Sequence, residues 1–396
     1  MRHSGLVAAL LGCWLPVALA AQTDTVPTYR VYGFLMTDAG YNFKQIDPDW
    51  FDVVRPSKLP ASTNQFGTDG NAFYGVRQTR FGLEANIPSP YGEIKGTFEW
   101  ELFGTGVDAG QTTLRLRHAY LELGHFGAGQ TWSPFMDIDV FPNSLEYWGP
   151  NGMVFFRNIQ VRWMPIQGDT RATIALERPG ASADQGVYAG RIELQDVAPR
   201  FPLPDLSAEY HRAMPWGYVE LAGILRRIKW DDQGTDQFDL TGSTWGWGLN
   251  LSSNYKLDEQ NLIKAQVVYG EGIENYMNDA PADVGIKNNP GNPITPVTGE
   301  AIPILGLVAF LDHTWNERFT SSAGYSLVNM YNPNATAPDA YRRGQYALGN
   351  VLFHPTPQVT AGAEFQWGDR DNESDGFSTS IYKIQFSFRY TFSKTF

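Results

Sequence analysis

Tyr382-Lys383-Ile384-Gln385-Phe386-Ser387-Phe388-Arg389-Tyr390-Thr391-Phe392-Ser393-Lys394-Thr395-Phe396 ends the chain, and its two parities differ in character. Tyr382, Ile384, Phe386, Phe388, Tyr390, Phe392 and Phe396 share one face. Lys383, Gln385, Ser387, Arg389, Thr391 and Ser393 share the other, and Lys394 alone breaks the apolar row. Successive side chains of an extended chain point to opposite sides, so this is a strand with one greasy and one wet face. The last strand of a soluble sandwich would also alternate. Seven large apolar side chains on one strand fit better with lipid on one side and water on the other.

Upstream, the same dyad recurs. Phe81, Leu83, Ala85 and Ile87 oppose Arg80, Gly82, Glu84 and Asn86, while Ile94, Gly96, Phe98, Trp100 and Leu102 oppose Glu93, Lys95, Thr97, Glu99 and Glu101. Between them Pro88-Ser89-Pro90-Tyr91-Gly92 has the composition of a tight turn. Trp245, Trp247, Leu249, Leu251 and Tyr255 alternate with Gly246, Gly248, Asn250, Ser252 and Asn254. Such segments predict sixteen strands, at 29–41, 75–87, 93–103, 113–123, 125–131, 157–164, 169–177, 205–211, 218–230, 242–256, 261–271, 303–314, 319–329, 344–354, 358–367 and 378–396. The fold class is therefore all-β, a transmembrane antiparallel barrel whose connections alternate short and long, with both termini on the periplasmic side. Gly186 to Asp196 also alternates, but a strand there would break the even count, so it is placed in a long loop. Trp100, Trp163, Trp230, Trp315, Trp367 and Tyr255 lie near strand ends, where they would form aromatic girdles.

The first residues predict export. Arg2 and His3, an apolar stretch from Leu6 to Leu19, and Ala18-Leu19-Ala20 before Ala21 read as a cleaved signal peptide over 1–21, leaving 22–396 as one barrel domain. Leu10-Leu11-Gly12-Cys13 resembles a lipoprotein cleavage box, but Cys13 sits inside the apolar stretch. It is the sole cysteine, so cleavage near Ala21 leaves no disulfide or thiolate chemistry. A net charge of −12 argues against nucleic acid as a partner. His118, His125, His211, His313 and His354 show no metal-protease spacing and no nucleophile beside a base, which argues against an enzyme. Asp369 to Gly376 resembles a calcium loop, but Gly376 comes late for that pattern and no helices flank it; a solvated loop is the plainer reading, and no metal or cofactor is expected.

Trp132 to Phe156 is too long and too aromatic for a hairpin turn. As the third external loop it would fold inward and narrow a lumen that sixteen strands otherwise leave wide. Arg115 and Arg117 share one parity, Arg162 shares that of Asn158 and Gln160, and Arg80 shares that of Glu84. A cation facing lipid costs about 2–4 kcal/mol at mid-membrane, so these arginines are expected to point inward, opposite the loop acids Asp137 and Asp139. Two roles stay open for them: drawing anions, or balancing inward acids such as Glu84, Glu99 and Glu101. Only nine of the 30 basic residues are lysine, and a guanidinium fork suits a carboxylate. A closed barrel acting as adhesin or receptor through loops 178–203 and 272–302 is the alternative to a channel.

Leu114-Arg115-Leu116-Arg117-His118-Ala119-Tyr120, followed by Gly129-Gln130-Thr131-Trp132-Ser133-Pro134-Phe135-Met136-Asp137, resembles the DcaP-like outer-membrane porins. The resemblance is densest from Arg77 to Trp163. It implies a homotrimer of sixteen-stranded barrels in the outer membrane, among lipid and lipopolysaccharide, that passes small dicarboxylates passively. It also implies Arg115, Arg117 and Arg162 as constriction cations, Asp137 and Asp139 as loop acids, and Phe396 as an assembly signal. With only about ten residues between Ala20 and Tyr29, trimerisation would rest on the wall around His118 and Tyr120.

Overall fold

The computed structural model describes residues 26–396; the signal-peptide reading and its lipoprotein alternative fall outside them. The C-terminal alternation is a strand, Ser378–Thr395, paired antiparallel with Thr28–Asn42 from Arg30 opposite Thr395 to Asn42 opposite Lys383. The Phe396 amide donates to the Tyr29 carbonyl at 2.8 Å, so the last residue completes the seam.

In chain order the barrel strands are β1 (Thr28–Asn42), β2 (Arg80–Ser89), β3 (Gly92–Phe103), β4 (Thr112–Leu123), β5 (Phe126–Trp132), β6 (Arg157–Ile166), β7 (Arg171–Glu177) and β8 (Asp205–Met214). They continue as β9 (Gly217–Asp232), β10 (Gly242–Lys256), β11 (Asn261–Glu271), β12 (Pro303–Asn316), β13 (Phe319–Met330), β14 (Tyr341–Thr356), β15 (Val359–Asn372) and β16 (Ser378–Thr395). Each pairs antiparallel with its chain neighbours and β16 closes on β1, so all sixteen expected strands are present in a closed barrel. Closure leaves no sheet edge unpaired, which the hydrocarbon of a bilayer demands. The second strand begins at Arg80 rather than 75 because the short strand Asn71–Gly75 pairs with the outer half of β1, and β2 takes only the inner half. Gly186–Asp196 is loop, with two short 3-10 turns.

The outward row of each strand is exposed and apolar: Leu35, Leu83, Phe98, Leu121, Val161, Leu221, Leu249, Val351 and Phe386 are each about half-exposed. Trp163, Trp315 and Tyr255 stand in the outward row at the end bearing the short turns. Trp230 departs from the girdle reading: it lies in the inward row of β9, half-buried, with its indole N–H donating to the Leu240 carbonyl at 2.7 Å.

The core of this molecule is inside the barrel. Inward positions of β9 to β14 are apolar where a pore would be wet: Ala222, Ile224, Val268, Ile304, Val308, Phe310, Val328 and Leu348. Phe135, Met136, Val140, Met153 and Val154 of the loop 133–156 cover them. Each large apolar side chain buried this way contributes about 1.5–3 kcal/mol. That match explains why the loop lies against this half of the wall and leaves the lumen to the polar half, β1 to β8.

Candidate functional site

The loop is fixed along its length. Asp137 accepts from the Tyr218 and Ser252 hydroxyls at 2.7 and 2.6 Å, and Lys264 Nζ donates to the Phe141 carbonyl at 2.6 Å. Asn350 donates to the Asn143 carbonyl at 2.8 Å; Glu364 accepts the amides of Leu145 and Glu146 at 2.7 and 3.0 Å. Ser326 accepts the Gly152 amide at 2.8 Å. The Glu146 carboxylate accepts the Val54 amide at 2.9 Å and the Gly149 amide, tying this loop to loop 43–79. Its full burial pushes the carboxyl up to about 7, with Lys383 and these amides pulling back.

Facing the loop is a hub of charge on β2, β3, β4 and β6. Arg117 donates from Nε to Glu99 at 2.5 Å and from Nη1 to Glu101 at 2.7 Å. Arg80 lies 3.3 Å from Glu101 and 3.7 Å from Glu99; Arg115 and Arg157 lie 3.7 and 3.8 Å from Glu101. Tyr147, from the loop, donates to Glu101, and Tyr32 donates to Glu99 at 2.8 Å. Four guanidiniums thus share two carboxylates, an excess of two positive charges. Arg157 Nη1 and Arg80 Nε are buried with no hydrogen-bond partner among the described residues.

The crowding arises from a β-bulge. Glu99 pairs with His118 and Trp100 with Leu116, so Arg117 is the extra residue. Two residues then oppose one, and the parity of β4 flips there. Arg115 and Arg117 face inward before the bulge; His118 and Tyr120 face inward after it, at 8% exposure each, and not a neighbouring subunit. His118 Nδ1 sits 3.0 Å from the Thr131 hydroxyl. Tyr120 lies over Gly127, where a Cβ would collide with its ring.

Arg162 lies lower on the same wall, above the Tyr120 ring at 5.0 Å, with Nη2 donating to the Trp132 carbonyl at 2.6 Å and no ion pair among the described residues. Below it Arg171 pairs with Glu220 at 2.9 Å and Glu209 at 3.6 Å. The inward cations form a descending line from Arg115 to Arg171. Arg80, Arg115 and Arg117 are brought together; Arg162 stands apart from them. Asp137 does not oppose the hub at its level: it is pinned to β9 and β10, on the part of the wall that carries Glu209 and Glu220, nearer the short-turn end. Asp139 is exposed beside it, its carbonyl accepting from Asn254 at 2.9 Å. The reason is the apolar wall of β9 to β14, which draws the start of the loop away from the arginines.

Two members of the site lay outside the expected set. Tyr147 lies in the loop and has no parity, while the alternation that turns Arg162 inward would turn Arg157 out; at the first residue of β6 it is instead buried beside Glu101. The hub opens outward into a cavity of about 560 Å3 that Arg115, Tyr147, Trp148 and Phe156 help to line. At its edge the Arg55 guanidinium lies between the Trp50 and Trp148 rings, 4.1 and 4.0 Å from their centres, and pairs with Asp279 at 3.0 Å.

A closed sixteen-stranded barrel with an apolar belt, a charged lumen and one loop folded inside defines an outer-membrane channel of the porin class. A family model described as "DcaP outer membrane protein" matches residues 19–392, and the chain belongs to that family. Among solved structures, the outer membrane channel DcaP of Acinetobacter baumannii is 20% identical and aligns with a TM-score of 0.77 over 95% of this chain and 100% of that one. The anion-selective porin from Comamonas acidovorans is 11% identical, with a TM-score of 0.58 over 93% of this chain and 100% of that chain. OmpT of Vibrio cholerae is 14% identical, with a TM-score of 0.55 over 94% and 100%. At these identities the likeness is one of fold. No curated protein matches the chain.

Proposed function

We propose that this channel passes small anionic solutes by diffusion, with dicarboxylates as its permeants and no chemical step. The observation that carries the reading is the charge count at the hub: Arg80, Arg115, Arg117 and Arg157 against Glu99 and Glu101 alone. The excess faces a narrowed lumen, where walls of low dielectric strengthen its pull on anions. Arg115, 31% exposed at its side chain, offers its fork to a permeant carboxylate. Arg162, without an ion pair, continues the path inward. Chloride feels one charge where a dicarboxylate feels two, so the dianion is enriched more.

Assembly as a homotrimer among outer-membrane lipid and lipopolysaccharide belongs to the same reading. Its support is a patch of small outward residues, Ala85, Gly96, Ala119 and Ala128, around Gln130, a polar residue in the outward row of β5. Gln130 spends its amide on the Leu116 and Arg117 carbonyls at the bulge. Swelling of liposomes containing the protein tests the permeant. Succinate is expected to enter faster than an uncharged solute of the same size; equal rates would remove the case for anions.

A further inference from the structure

The outer face of the wall carries an unbalanced cluster of cations at its external rim. On β9 the outward row runs Val219, Leu221, Gly223, Leu225, Arg227 and Lys229, so it turns from apolar to basic in one step. Arg227 lies ten residues above the turn at Gly217, about 33 Å along the strand and about 25 Å in height at the tilt of a barrel strand. That is the height of an apolar belt, so these cations stand where hydrocarbon gives way to headgroups on the external side.

Neighbouring strands widen the cluster. Lys229 is opposite Ser243 of β10 on one side and Arg200 of the strand Val197–Arg200 on the other, and Arg227 is opposite Trp245. Residues paired across strands share a face, so all of these point out of the barrel. The Arg227 guanidinium lies 5.0 Å from the Trp245 ring centre and donates to the Ser243 hydroxyl at 2.5 Å. Trp245 is half-exposed, as suits an aromatic at a membrane interface. Below it Leu206, Leu225 and Leu249 continue the apolar belt. Acids do not cancel the charge. Arg200 meets Asp231 at 3.3 Å and Glu271 stands beside Trp247 one step lower, but Arg227 and Lys229 form no ion pair among the described residues. The contrast is β14, where the outward Arg343 is neutralised by Asp371 of β15. Unpaired cations above leucines complement an amphiphile with phosphates on its head and several acyl chains.

We propose that this face binds the phosphorylated headgroup of an outer-leaflet lipid, the lipid A of lipopolysaccharide, with a phosphate on Arg227 and Lys229 and acyl chains along Leu225 and Leu249. The site lies well round the barrel from the small residues on β2 to β5 assigned to the subunit contact. It rests on the reading that sets the barrel among lipopolysaccharide and fixes where that contact is made. Native mass spectrometry of the protein in neutral detergent, titrated with bisphosphorylated lipid A, tests it. Arg227→Gln with Lys229→Gln should weaken the tightest-bound lipid about 25-fold, two exposed charge pairs at about fivefold each, with conductance and subunit count unchanged. Removing the phosphates from lipid A should weaken binding to the native protein by a similar factor, an arm that needs no variant. Arg342→Gln with Arg343→Gln should leave binding as it is. Native-like lipid A binding by the Arg227 and Lys229 double variant would overturn the site while keeping lipopolysaccharide as a partner; a native protein that retains no lipid A would overturn both. Equal binding of the dephosphorylated lipid, or a changed subunit count in the double variant, would overturn phosphate recognition.

Discussion

Replacing Arg115 by Ala takes one charge from a hub that holds an excess of two. The residue suits the test because its loss should spare the fold: its side chain is 31% exposed, and its contacts are a 3.4 Å hydrogen bond to Tyr147 and a 3.7 Å approach to Glu101. A carboxylate about 4 Å from a guanidinium gains about 1 kcal/mol in water and about 4 kcal/mol at the lower effective dielectric of a protein surface. Arg115 borders an open cavity, so the wet figure applies. Since 1.4 kcal/mol is tenfold, a monoanion's occupancy should fall about fivefold and a dianion's about 25-fold. Zero-current potentials in planar bilayers, with chloride and with succinate, read this directly. The native preference for succinate over chloride should shrink in Arg115→Ala, most clearly at low salt, where screening is weak. Glu101→Gln should move the potential the other way by adding a net positive charge. An unchanged potential in both variants, at unchanged conductance, would refute the charge-count argument.

Arg117→Ala strips a buried double ion pair from Glu99 and Glu101 and should cost about 3–5 kcal/mol, read as a lower temperature for loss of the folded band in heated gel samples. Tyr218→Phe with Ser252→Ala frees Asp137, each lost bond to the carboxylate worth about 1.5–3 kcal/mol; the loop start should loosen and single-channel conductance should become larger and noisier. Glu146 makes the loop clasp depend on pH. Its carboxyl lies above the ordinary 4.5, at about 7, so the native state keeps a proton that a free carboxyl loses. That contribution, on the order of 3 kcal/mol, is complete below about pH 4.5 and lost as pH rises through 7. Current noise should therefore increase from pH 5 to pH 8, and Glu146→Gln should flatten the trend.

The barrel was legible because lipid and water impose opposite demands on alternate residues, and β16 obeys them from Tyr382 to Ser393. Strand ends near loops were less so: nothing local shows that Asn71–Gly75 takes the outer half of β1 from β2. Within the site, parity placed Arg80, Arg115 and Arg162 inward, and it failed at His118 and Tyr120 because a bulge leaves no mark in a hydropathy pattern. The route of the loop had a signal that was readable only in hindsight. Ala301 to Leu311 is uncharged on both parities, as suits a strand with lipid outside and a packed loop inside. Arg157 and Tyr147 gain their roles from tertiary approach alone.

The central claim is that the net charge at the hub makes the open channel anion-selective. The zero-current potential of the native protein in a potassium chloride gradient tests it most directly. The account predicts a potential with the sign of anion flow, growing when succinate replaces chloride. A potential with the sign of potassium flow, or a barrel that conducts nothing, would contradict it.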